Sequence, residues 1–352
     1  MIVAGNRLRV VAATPLSDAD GERITRLESR IDLVLEHELL PPMRHPADFS
    51  GDPSFARTPA QQARFDQLVD SADALYGIPD VDPRALSRTV QANLALRWVH
   101  TMAAGGGAQV RAASLSAEQL ERVVFTTSAG VHGGPLAEFA VFGVLAGAKT
   151  LPRLLAQQRA HAWTGRWTMG QISEQTILLL GLGGIGGEVA VRLSSLGATV
   201  IGVSRSGRPV SGVTRVVHPD RMVDEIAGAD AIVTTLPGTE ATECLIGEDF
   251  LSRVKHGVTI VNVGRGTVID EEALIAALVD GRVGFAALDV FAVEPLAADS
   301  LLWELENVLV SPHTAALNAA EDRRIAELFA ENATRLLDGR ELRNRVDTVE
   351  FY

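Results

Sequence analysis

The stretch at residues 176–189, TILLLGLGGIGGEV, constrains the fold more than any other part of the 352-residue chain. It begins with an apolar run typical of strands that are buried on both faces of a parallel sheet. Three glycines follow in the spacing Gly181-x-Gly183-x-x-Gly186, and an apolar pattern with helical spacing begins at Glu188. A strand, a glycine turn and a helix in this order predict a unit that binds the phosphates of a dinucleotide.

Each glycine of this turn has a distinct role in such a unit. Gly181 permits the tight turn, Gly183 lets a pyrophosphate approach the backbone, and Gly186 lets the helix pack closely on the strand. The positive end of the helix dipole then faces the phosphates. A purely structural glycine turn is the alternative, and the flanking strand and helix argue against it.

Composition excludes several classes of protein. The chain is long enough for two domains with their own cores. Its net charge of −12 argues against nucleic acids or anionic membranes as partners, because both attract basic surfaces. The single cysteine, Cys244, excludes an intramolecular disulfide and a cysteine-based zinc site, and no cluster of residues suggests a metal. Without a signal-peptide pattern or an apolar run of membrane-spanning length, we expect a cytoplasmic protein.

The first part of the chain alternates between apolar runs and helical patterns. This alternation predicts an open parallel α/β sheet of about five strands. The predicted strands are residues 8–13, 31–34, 74–76, 96–101 and 123–126, with helices at 18–30, 60–70 and 83–92.

From residue 176 onward the alternation predicts six parallel strands, which would complete a dinucleotide-binding sheet. The predicted strands are residues 176–181, 198–203, 230–235, 258–263, 284–289 and 307–311. The last helix, 320–337, is expected to leave this sheet and pack on the first domain. A long helix at 134–158 is apolar nearly all round, so we expect it to be buried between domains or subunits. Pro152 is expected to kink it or to end its first half.

The second strand of the nucleotide unit ends without an acidic residue. A carboxylate here usually holds the ribose 2′-hydroxyl of NAD, whereas this chain has Ser204, Arg205 and Ser206, with Arg208 close behind. A guanidinium and two hydroxyls suit a 2′-phosphate, which a carboxylate would repel. The pattern favours NADP, with a solvated basic loop as the alternative.

Three later strands end in residues that carry chemistry. Arg265 lies between two glycines, Glu294 follows the next strand, and His313 follows the last one. Taken singly, they read as a surface loop residue, an exposed turn and an ordinary histidine. Because ligands bind at the carboxyl ends of parallel strands, their recurrence beside a nucleotide motif predicts a site.

These motifs together resemble the D-isomer-specific 2-hydroxyacid dehydrogenase family. The resemblance runs from about residue 96 to 318, and residues 1–95 match only in their alternating pattern. Residues 97–105 resemble the substrate loop of the family, and residues 127–131 with 136–138 resemble its domain-crossing segment. The remaining shared motifs are Gly181 to Gly186, Gly264-Arg265-Gly266, Asp289-Val290-Phe291, Glu294-Pro295-Leu296 and Ser311-Pro312-His313.

The resemblance implies two Rossmann-like parallel-sheet domains. Residues 129–317 would form the NAD(P)-binding domain. Residues 1–128 and 318–352 would form a discontinuous, flavodoxin-like substrate domain. Family resemblance and the apolar helix also lead us to expect a homodimer.

The resemblance further implies a role for each site residue. His313 would be the general acid, with Glu294 holding its ring and favouring the imidazolium. Arg265 would bind the substrate carboxylate and polarise the carbonyl, and the backbone amides of Ala104 and Gly105 would hold the other side of the carboxylate. The implied cofactor-binding residues are Gly181, Gly183, Gly184, Ile185, Gly186, Ser204, Arg205, Ser206, Pro237 and, at the nicotinamide carboxamide, Asp289.

The expected reaction is the reduction of a 2-oxo acid of the glyoxylate or hydroxypyruvate type to the D-2-hydroxy acid. NADP is the preferred cofactor, with NAD as the second option. One alternative is a phosphoglycerate dehydrogenase-like enzyme, although residues 103–108 lack the basic side chains that a phosphate requires. Another is a non-catalytic, NAD(P)-sensing protein similar to corepressors of this fold, and an intact Arg–Glu–His set argues against it.

Overall fold

A computed structural model describes residues 7–349 and 351 of the chain. The chain divides into two compact units. The first unit contains the residues up to His132 and those from Leu317 onward, and the second unit is Gly133–Ala316.

In the described residues, the first unit contains a five-stranded sheet in the order β2-β1-β3-β4-β5. All of its strands are parallel, as the sequence predicts. The strands are β1 Leu8–Ala12, β2 Ile31–Val34, β3 Ala74–Tyr76, β4 Trp98–Thr101 and β5 Val124–Thr127. The helices are α1 Asp18–Leu27, α2 Pro59–Val69, α3 Pro83–Ala92, α4 Gly107–Ala112, α5 Ala117–Arg122 and, from the end of the chain, α12 Glu321–Leu337.

Helix α12 completes the core of the first unit. Its Phe329 stacks on Trp98 with ring centroids 4.5 Å apart and meets Tyr76 edge-on at 5.2 Å. All three side chains are fully buried. The burial of aromatic rings of this size contributes a large share of the free energy that stabilises such a core.

Helix α1 ends earlier than the sequence predicts. It stops at Leu27 rather than at residue 30, because Glu28 takes an extended conformation and its amide donates back to the Ile24 carbonyl. The Glu28 carboxylate then accepts from the Arg30 side chain, with Nη2 at 2.7 Å and Nε at 2.9 Å. The hydrogen bonds to Arg30 outweigh the effect of burial and lower the pKa of Glu28 to about 2.

A histidine lies inside this core on a continuous chain of hydrogen bonds. The Trp98 indole donates to the Thr126 hydroxyl at 2.8 Å, and that oxygen lies 2.8 Å from Nδ1 of His100. On the other side, Nε2 of His100 lies 3.1 Å from the Ser128 hydroxyl, which donates to the Thr101 carbonyl. The network satisfies every member when His100 is neutral with its proton on Nε2. Burial lowers the pKa of His100 to about 3.

This buried histidine predicts a loss of stability in mild acid. Unfolded His100 binds a proton near pH 6.5 and the folded residue near pH 3, so the free energy of unfolding falls as the pH decreases through this window. The slope reaches up to about 1.4 kcal/mol per pH unit. Urea unfolding at pH 7, 6 and 5 is expected to show this slope in the wild type and a flatter one in His100→Gln. The same change at the exposed His256 serves as control, and equal slopes in all three proteins would contradict the prediction.

In the described residues, the second unit contains a seven-stranded parallel sheet in the order β12-β11-β10-β9-β6-β7-β8. The strands are β6 Thr176–Leu180, β7 Thr199–Val203, β8 Arg215–Val217, β9 Ala231–Thr234, β10 Val258–Asn262, β11 Val283–Leu288 and β12 Val308–Val310. The helices are α6 Gly133–Ala148, α7 Leu151–Arg159, α8 Gly184–Ser195, α9 Val223–Ile226, α10 Glu248–Leu251 and α11 Glu271–Val279.

The predicted count of six strands is therefore wrong by one, while the parallel α/β class is confirmed. The additional strand, β8, is three residues long and pairs with β7 at the sheet edge. It begins with the exposed Arg215 and has only two apolar residues, which is too short a run to predict a strand.

The predicted long helix at 134–158 is two helices. Helix α6 ends at Ala148, Thr150 takes the left-handed conformation (φ 51°, ψ 47°), and α7 begins at Leu151 with Pro152 in its first turn. The two axes differ by 68°. Proline is well accommodated in a first turn, where its missing N–H leaves no helical bond unmade.

Helix α6 packs on the sheet of its own unit through small residues. A Cβ on Gly147 would lie 2.0 Å from Oγ1 of Thr259, and one on Gly143 would lie 2.8 Å from the Ala287 side chain. Phe142, on the other side of the helix, is exposed. Part of the apolar composition thus serves close helix–sheet packing within the second unit. The expectation that the helix is buried between domains or subunits stays a prediction. In the described part of the chain, no single helix is long and apolar enough to span a membrane; α6 and α7 pass that test only as a bent pair.

Candidate active site

The glycine turn joins β6 to α8 at the carboxyl edge of the second unit's sheet. Gly181 has a φ of 97°, a conformation that favours glycine. A Cβ on Gly186 would lie 2.1 Å from the Gly181 carbonyl oxygen, so only glycine lets the helix approach the strand this closely. Helix α8 begins at Gly184 rather than at the predicted Glu188. Nothing lies within 4 Å of a Cβ added to Gly183 or Gly184, so this backbone is open to a ligand.

The other predicted nucleotide contacts follow neighbouring strands. Ser204 comes directly after β7 and is half-buried, while Arg205 and Ser206 are exposed. The two serine hydroxyls lie 3.1 Å apart. Pro237 follows β9 and is exposed, and Ile185 is half-buried in the first turn of α8.

Arg265 is held by a residue that the sequence analysis missed. Asn262, the last residue of β10, donates from Nδ2 to the Arg265 carbonyl at 3.0 Å and accepts from the Gly264 amide at 3.0 Å. A Cβ on Gly266 would lie 1.8 Å from the carbonyl carbon of Phe291. The loop is therefore fixed at both ends, and the Arg265 side chain is exposed. The sequence signal that could have identified Asn262 is a polar residue at the end of an otherwise apolar strand.

Glu294 and His313 form a hydrogen-bonded pair. Nδ1 of His313 lies 2.7 Å from Oε2 of Glu294, and Oε1 of Glu294 accepts from the Phe291 amide at 3.0 Å. With Nδ1 engaged, Nε2 is the ring nitrogen that can transfer a proton to a ligand. His313 has a φ of 53°, in the left-handed region that few non-glycine residues adopt.

The charge state of Glu294 follows from its surroundings. Burial raises its pKa, but the hydrogen bonds from His313 and from the Phe291 amide, together with the positive charges of His313 and Arg265, bring it below the usual value. The carboxylate is thus ionised at neutral pH. This carboxylate holds the His313 ring through Nδ1.

Asp289 is fully buried directly after β11. Its Oδ1 accepts from the Ser311 hydroxyl at 2.5 Å and from the amides of Thr314 and Ala315 at 3.0 Å each. Its Oδ2 is buried without a hydrogen-bond partner among the described residues. An amide N–H, such as that of a nicotinamide carboxamide, would satisfy this acceptor, so the residues present fit a nicotinamide nucleotide.

The remaining predicted site residues lie in the first unit. Ala104 and Gly105 form an exposed turn after β4. Within the described residues, neither amide donates a hydrogen bond, which leaves both available to an anion. Across the same described residues there is no group of three or more potential metal ligands.

Comparisons with known proteins show which proteins this chain is similar to. The family model described as "D-isomer specific 2-hydroxyacid dehydrogenase, NAD binding domain" matches residues 141–315. A D-3-phosphoglycerate dehydrogenase from Archaeoglobus fulgidus is 31% identical over 226 residues, which is 64% of this chain and 43% of that protein. The chain thus spans less than half the length of that relative. A glyoxylate reductase from Korarchaeum cryptofilum is 31% identical over 61% of this chain and 67% of its own length.

A solved structure extends the likeness to nearly the whole chain. The D-isomer specific 2-hydroxyacid dehydrogenase from Xanthobacter autotrophicus Py2, in complex with NADPH and MES, superposes with a TM-score of 0.77 and 27% identity. The match covers 98% of this chain and 100% of that one. The resemblance drawn from the sequence is confirmed: the chain belongs to the D-isomer specific 2-hydroxyacid dehydrogenase family.

Proposed function

We propose that the protein is an NADP-preferring reductase that converts a 2-oxo acid of the glyoxylate or hydroxypyruvate type to the D-2-hydroxy acid. The observation that carries the proposal is the pair of Glu294 and His313, 2.7 Å apart, with Arg265 near enough for its charge to act on Glu294. His313, held by the ionised Glu294, suits the protonation of a substrate carbonyl oxygen. The Arg265 guanidinium suits the substrate carboxylate next to that carbonyl.

In this mechanism the chain binds and orients the substrate and supplies the proton. A bound nicotinamide supplies the hydride. Arg265 binds the substrate carboxylate and polarises the carbonyl oxygen, and the free amides of Ala104 and Gly105 are our proposed donors from the first unit. His313 protonates the developing alkoxide from Nε2, while Glu294 keeps the ring in place. Glycines 181, 183, 184 and 186, Ile185 and Pro237 hold the nucleotide, with Asp289 on the carboxamide.

The loop after β7 supports the preference for NADP. Ser204, Arg205 and Ser206 offer two hydroxyls and a guanidinium to a 2′-phosphate, without the carboxylate that binds the NAD ribose. The NADPH in the Xanthobacter relative is consistent with such a preference. We further propose a homodimer located in the cytoplasm, with residues 129–317 as the cofactor domain and residues 1–128 with 318–352 as the substrate domain.

A phosphoglycerate dehydrogenase-like activity is the second candidate, favoured by the name of the Archaeoglobus relative. A phosphorylated substrate requires basic side chains near the substrate loop. Residues 103–108 have none, and Arg111 in α4 is the nearest arginine that follows along the chain. The substrate loop therefore favours the unphosphorylated 2-oxo acids.

The test is the oxidation of NADPH and NADH by the purified protein with glyoxylate, hydroxypyruvate, pyruvate and 3-phosphohydroxypyruvate. We expect turnover of glyoxylate or hydroxypyruvate with a clear preference for NADPH. Arg205→Ala is expected to lower kcat/KM for NADPH by about 10- to 100-fold, since a hydrogen bond to a charged group contributes about 1.5–3 kcal/mol. The exposed Arg221→Ala is the matched control.

Each part of the proposal has its own contrary outcome. A preference for NADH in both the wild type and Arg205→Ala would remove the NADP assignment. Turnover confined to 3-phosphohydroxypyruvate would replace the substrate class. Tight NADPH binding without turnover of any 2-oxo acid would favour a nucleotide-sensing protein over an enzyme.

A further inference from the structure

Two neighbouring strands of the second unit, β10 and β11, end in loops that carry proposed catalytic residues. Residues 263–270, which we call the arginine loop, join β10 to α11 and contain Arg265. Residues 289–296, which we call the glutamate loop, follow β11 and contain Glu294. Both loops leave the sheet at its carboxyl edge, where ligands bind in such sheets, so a contact between the loops affects the spacing of the two side chains.

The two loops meet at the peptide group between Phe291 and Ala292. A Cβ added to Gly266 would lie 1.8 Å from the Phe291 carbonyl carbon and 2.4 Å from the Ala292 nitrogen. The backbone of the arginine loop therefore packs directly on this peptide group, with no room for a side chain between them. Because the packing leaves no gap, a displacement of the peptide group would be transmitted to the arginine loop.

A carboxylate that has no part in the proposed chemistry holds this peptide group. Oε1 of Glu271, the first residue of α11, accepts from the Ala292 amide at 2.6 Å. The preceding amide, that of Phe291, donates to Oε1 of Glu294 at 3.0 Å. Two successive amides are thus bound by two carboxylates. One carboxylate belongs to the helix that follows the arginine loop, and the other belongs to the residue that holds the proposed acid.

Stabilisation of its own helix does not account for the contact that Glu271 makes. An acidic residue in a first turn favours a helix through the helix dipole, and the exposed Glu272 shares that position. Asp270 already caps the helix, since its Oδ1 accepts from the Ala273 amide at 3.1 Å. The contact between Glu271 and Ala292 joins residues 21 apart in sequence. It therefore fixes a loop rather than the end of a helix.

We infer that Glu271 is a positioning residue for the reduction of the 2-oxo acid. The inference rests on the proposed function. Glu271 holds the Ala292 amide and so keeps the glutamate loop against the backbone of Gly266. With the loop in place, Glu294 keeps its contact with His313 at 2.7 Å. Glu271 acts through Glu294, and it has no proposed contact with substrate or cofactor.

Replacing Glu271 with alanine removes the acceptor of the Ala292 amide. Misplacement of a catalytic group by about 1 Å costs up to about 100-fold in rate, so we expect a partly loosened loop to lower kcat for glyoxylate by about tenfold. Glu271→Gln keeps an acceptor oxygen on a side chain of the same length, so its kcat is expected to stay within about threefold of the wild type. Glu272→Ala, the matched control in the same turn of α11, is expected to leave kcat unchanged.

The Kd for NADPH, measured by fluorescence titration, shows whether each variant remains folded. It is expected to stay near the wild-type value in all of these variants, because the glycine turn does not contact Glu271. A loss in kcat at an unchanged Kd would then report on the geometry of catalysis rather than on unfolding. A loss in Glu271→Gln as large as that in Glu271→Ala would contradict the role of the acceptor oxygen.

A double variant tests whether Glu271 acts through Glu294. In a Glu294→Ala background there is no carboxylate left to position, so adding Glu271→Ala is expected to cost about threefold or less in kcat. Independent effects would multiply, and the second change would then cost about tenfold again. That result would overturn the proposed route through Glu294.

The ring nitrogens of His313 provide a measurement that requires no turnover. In a ¹H–¹⁵N correlation spectrum of the imidazole side chains, the His313 signal is assigned by its loss in His313→Gln. We expect this signal to shift in Glu271→Ala, because the contact of Nδ1 with Glu294 changes, and to stay in place in Glu272→Ala.

The spectrum separates this inference from the proposed function. A shifted His313 signal in a protein that reduces no 2-oxo acid would support the positioning role and contradict the proposed reaction alone. Reduction of glyoxylate with an unmoved His313 signal in Glu271→Ala, or with a kcat close to that of the wild type, would overturn the role of Glu271. The reductase would then stand without it.

Discussion

Replacing His313 with glutamine is expected to lower kcat for 2-oxo acid reduction by about 10²- to 10⁴-fold, the usual contribution of a positioned general acid. Glutamine retains a polar side chain beside Glu294 but cannot deliver a proton to an alkoxide. The nucleotide contacts proposed at residues 181–186 and at Asp289 do not involve the imidazole. We therefore expect the Kd for NADPH, measured by fluorescence titration, to stay within about threefold of the wild type.

A matched variant separates catalysis from general damage. His256→Gln makes the same change at an exposed histidine before β10, at the amino end of that strand, and is expected to retain full activity. Glu294→Gln preserves the shape of the partner but removes its charge, so its kcat is expected to lie between those of the wild type and His313→Gln. If His313→Gln kept more than a tenth of the wild-type kcat, the assignment of the acid would be wrong.

Replacing Arg265 with alanine is expected to lower kcat/KM for glyoxylate by about 10²- to 10³-fold. Removing one partner of a hydrogen-bonded charge pair costs about 2–5 kcal/mol. The substrate carboxylate loses both the positive charge that pairs with it and the bidentate hydrogen bonds of the guanidinium. Arg265→Lys restores the charge but not the fork, so its loss is expected to be smaller, about tenfold or more. Steady-state kinetics with glyoxylate and inhibition by oxamate report on the same contact.

The loop around Arg265 makes this test interpretable. Asn262 holds the Arg265 backbone through the carbonyl, and that bond does not depend on the side chain. Arg265→Ala removes the hydrogen bond from Nη1 to the Gly264 carbonyl, but it leaves the bonds from Asn262, so the protein is expected to remain folded. Arg253→Ala, at an exposed arginine paired with Asp249 near the end of α10, is the control and is expected to leave kcat/KM unchanged. Unchanged kcat/KM for glyoxylate in Arg265→Ala would exclude the proposed carboxylate contact.

The features that were predictable from the sequence depend on local chemistry. The apolar run before Gly181 indicates a buried strand, and the glycine spacing indicates a close helix, because both constraints act within a few residues. Arg265, Glu294 and His313 were recognisable because each follows an apolar strand, and parallel strands deliver their carboxyl ends to one edge. The contact between Glu294 and His313 joins residues 19 apart in sequence and follows from that topology.

The features that escaped prediction depend on tertiary context. Strand β8 is short and partly exposed, and only pairing with β7 makes it a strand. Pro152 signals a break in the long helix, but its position is set by the left-handed backbone of Thr150, which carries no sequence signal of its own. Arg57 reads as one more surface arginine in a polar loop. Its burial over Phe65 and its link to Asp80 come from segments far enough apart in the chain that no local pattern reports them.

The position of Phe329 between Trp98 and Tyr76 has a consequence for how the chain is synthesised. The second unit is continuous in sequence, so all of its strands are translated before α12 is. The first unit lacks a central part of its core until then, and its strands must wait for a partner more than 200 residues downstream, since Trp98 and Phe329 are separated by the entire second unit. We therefore expect the second unit to fold first. The first unit is expected to complete its core only after α12 has been translated.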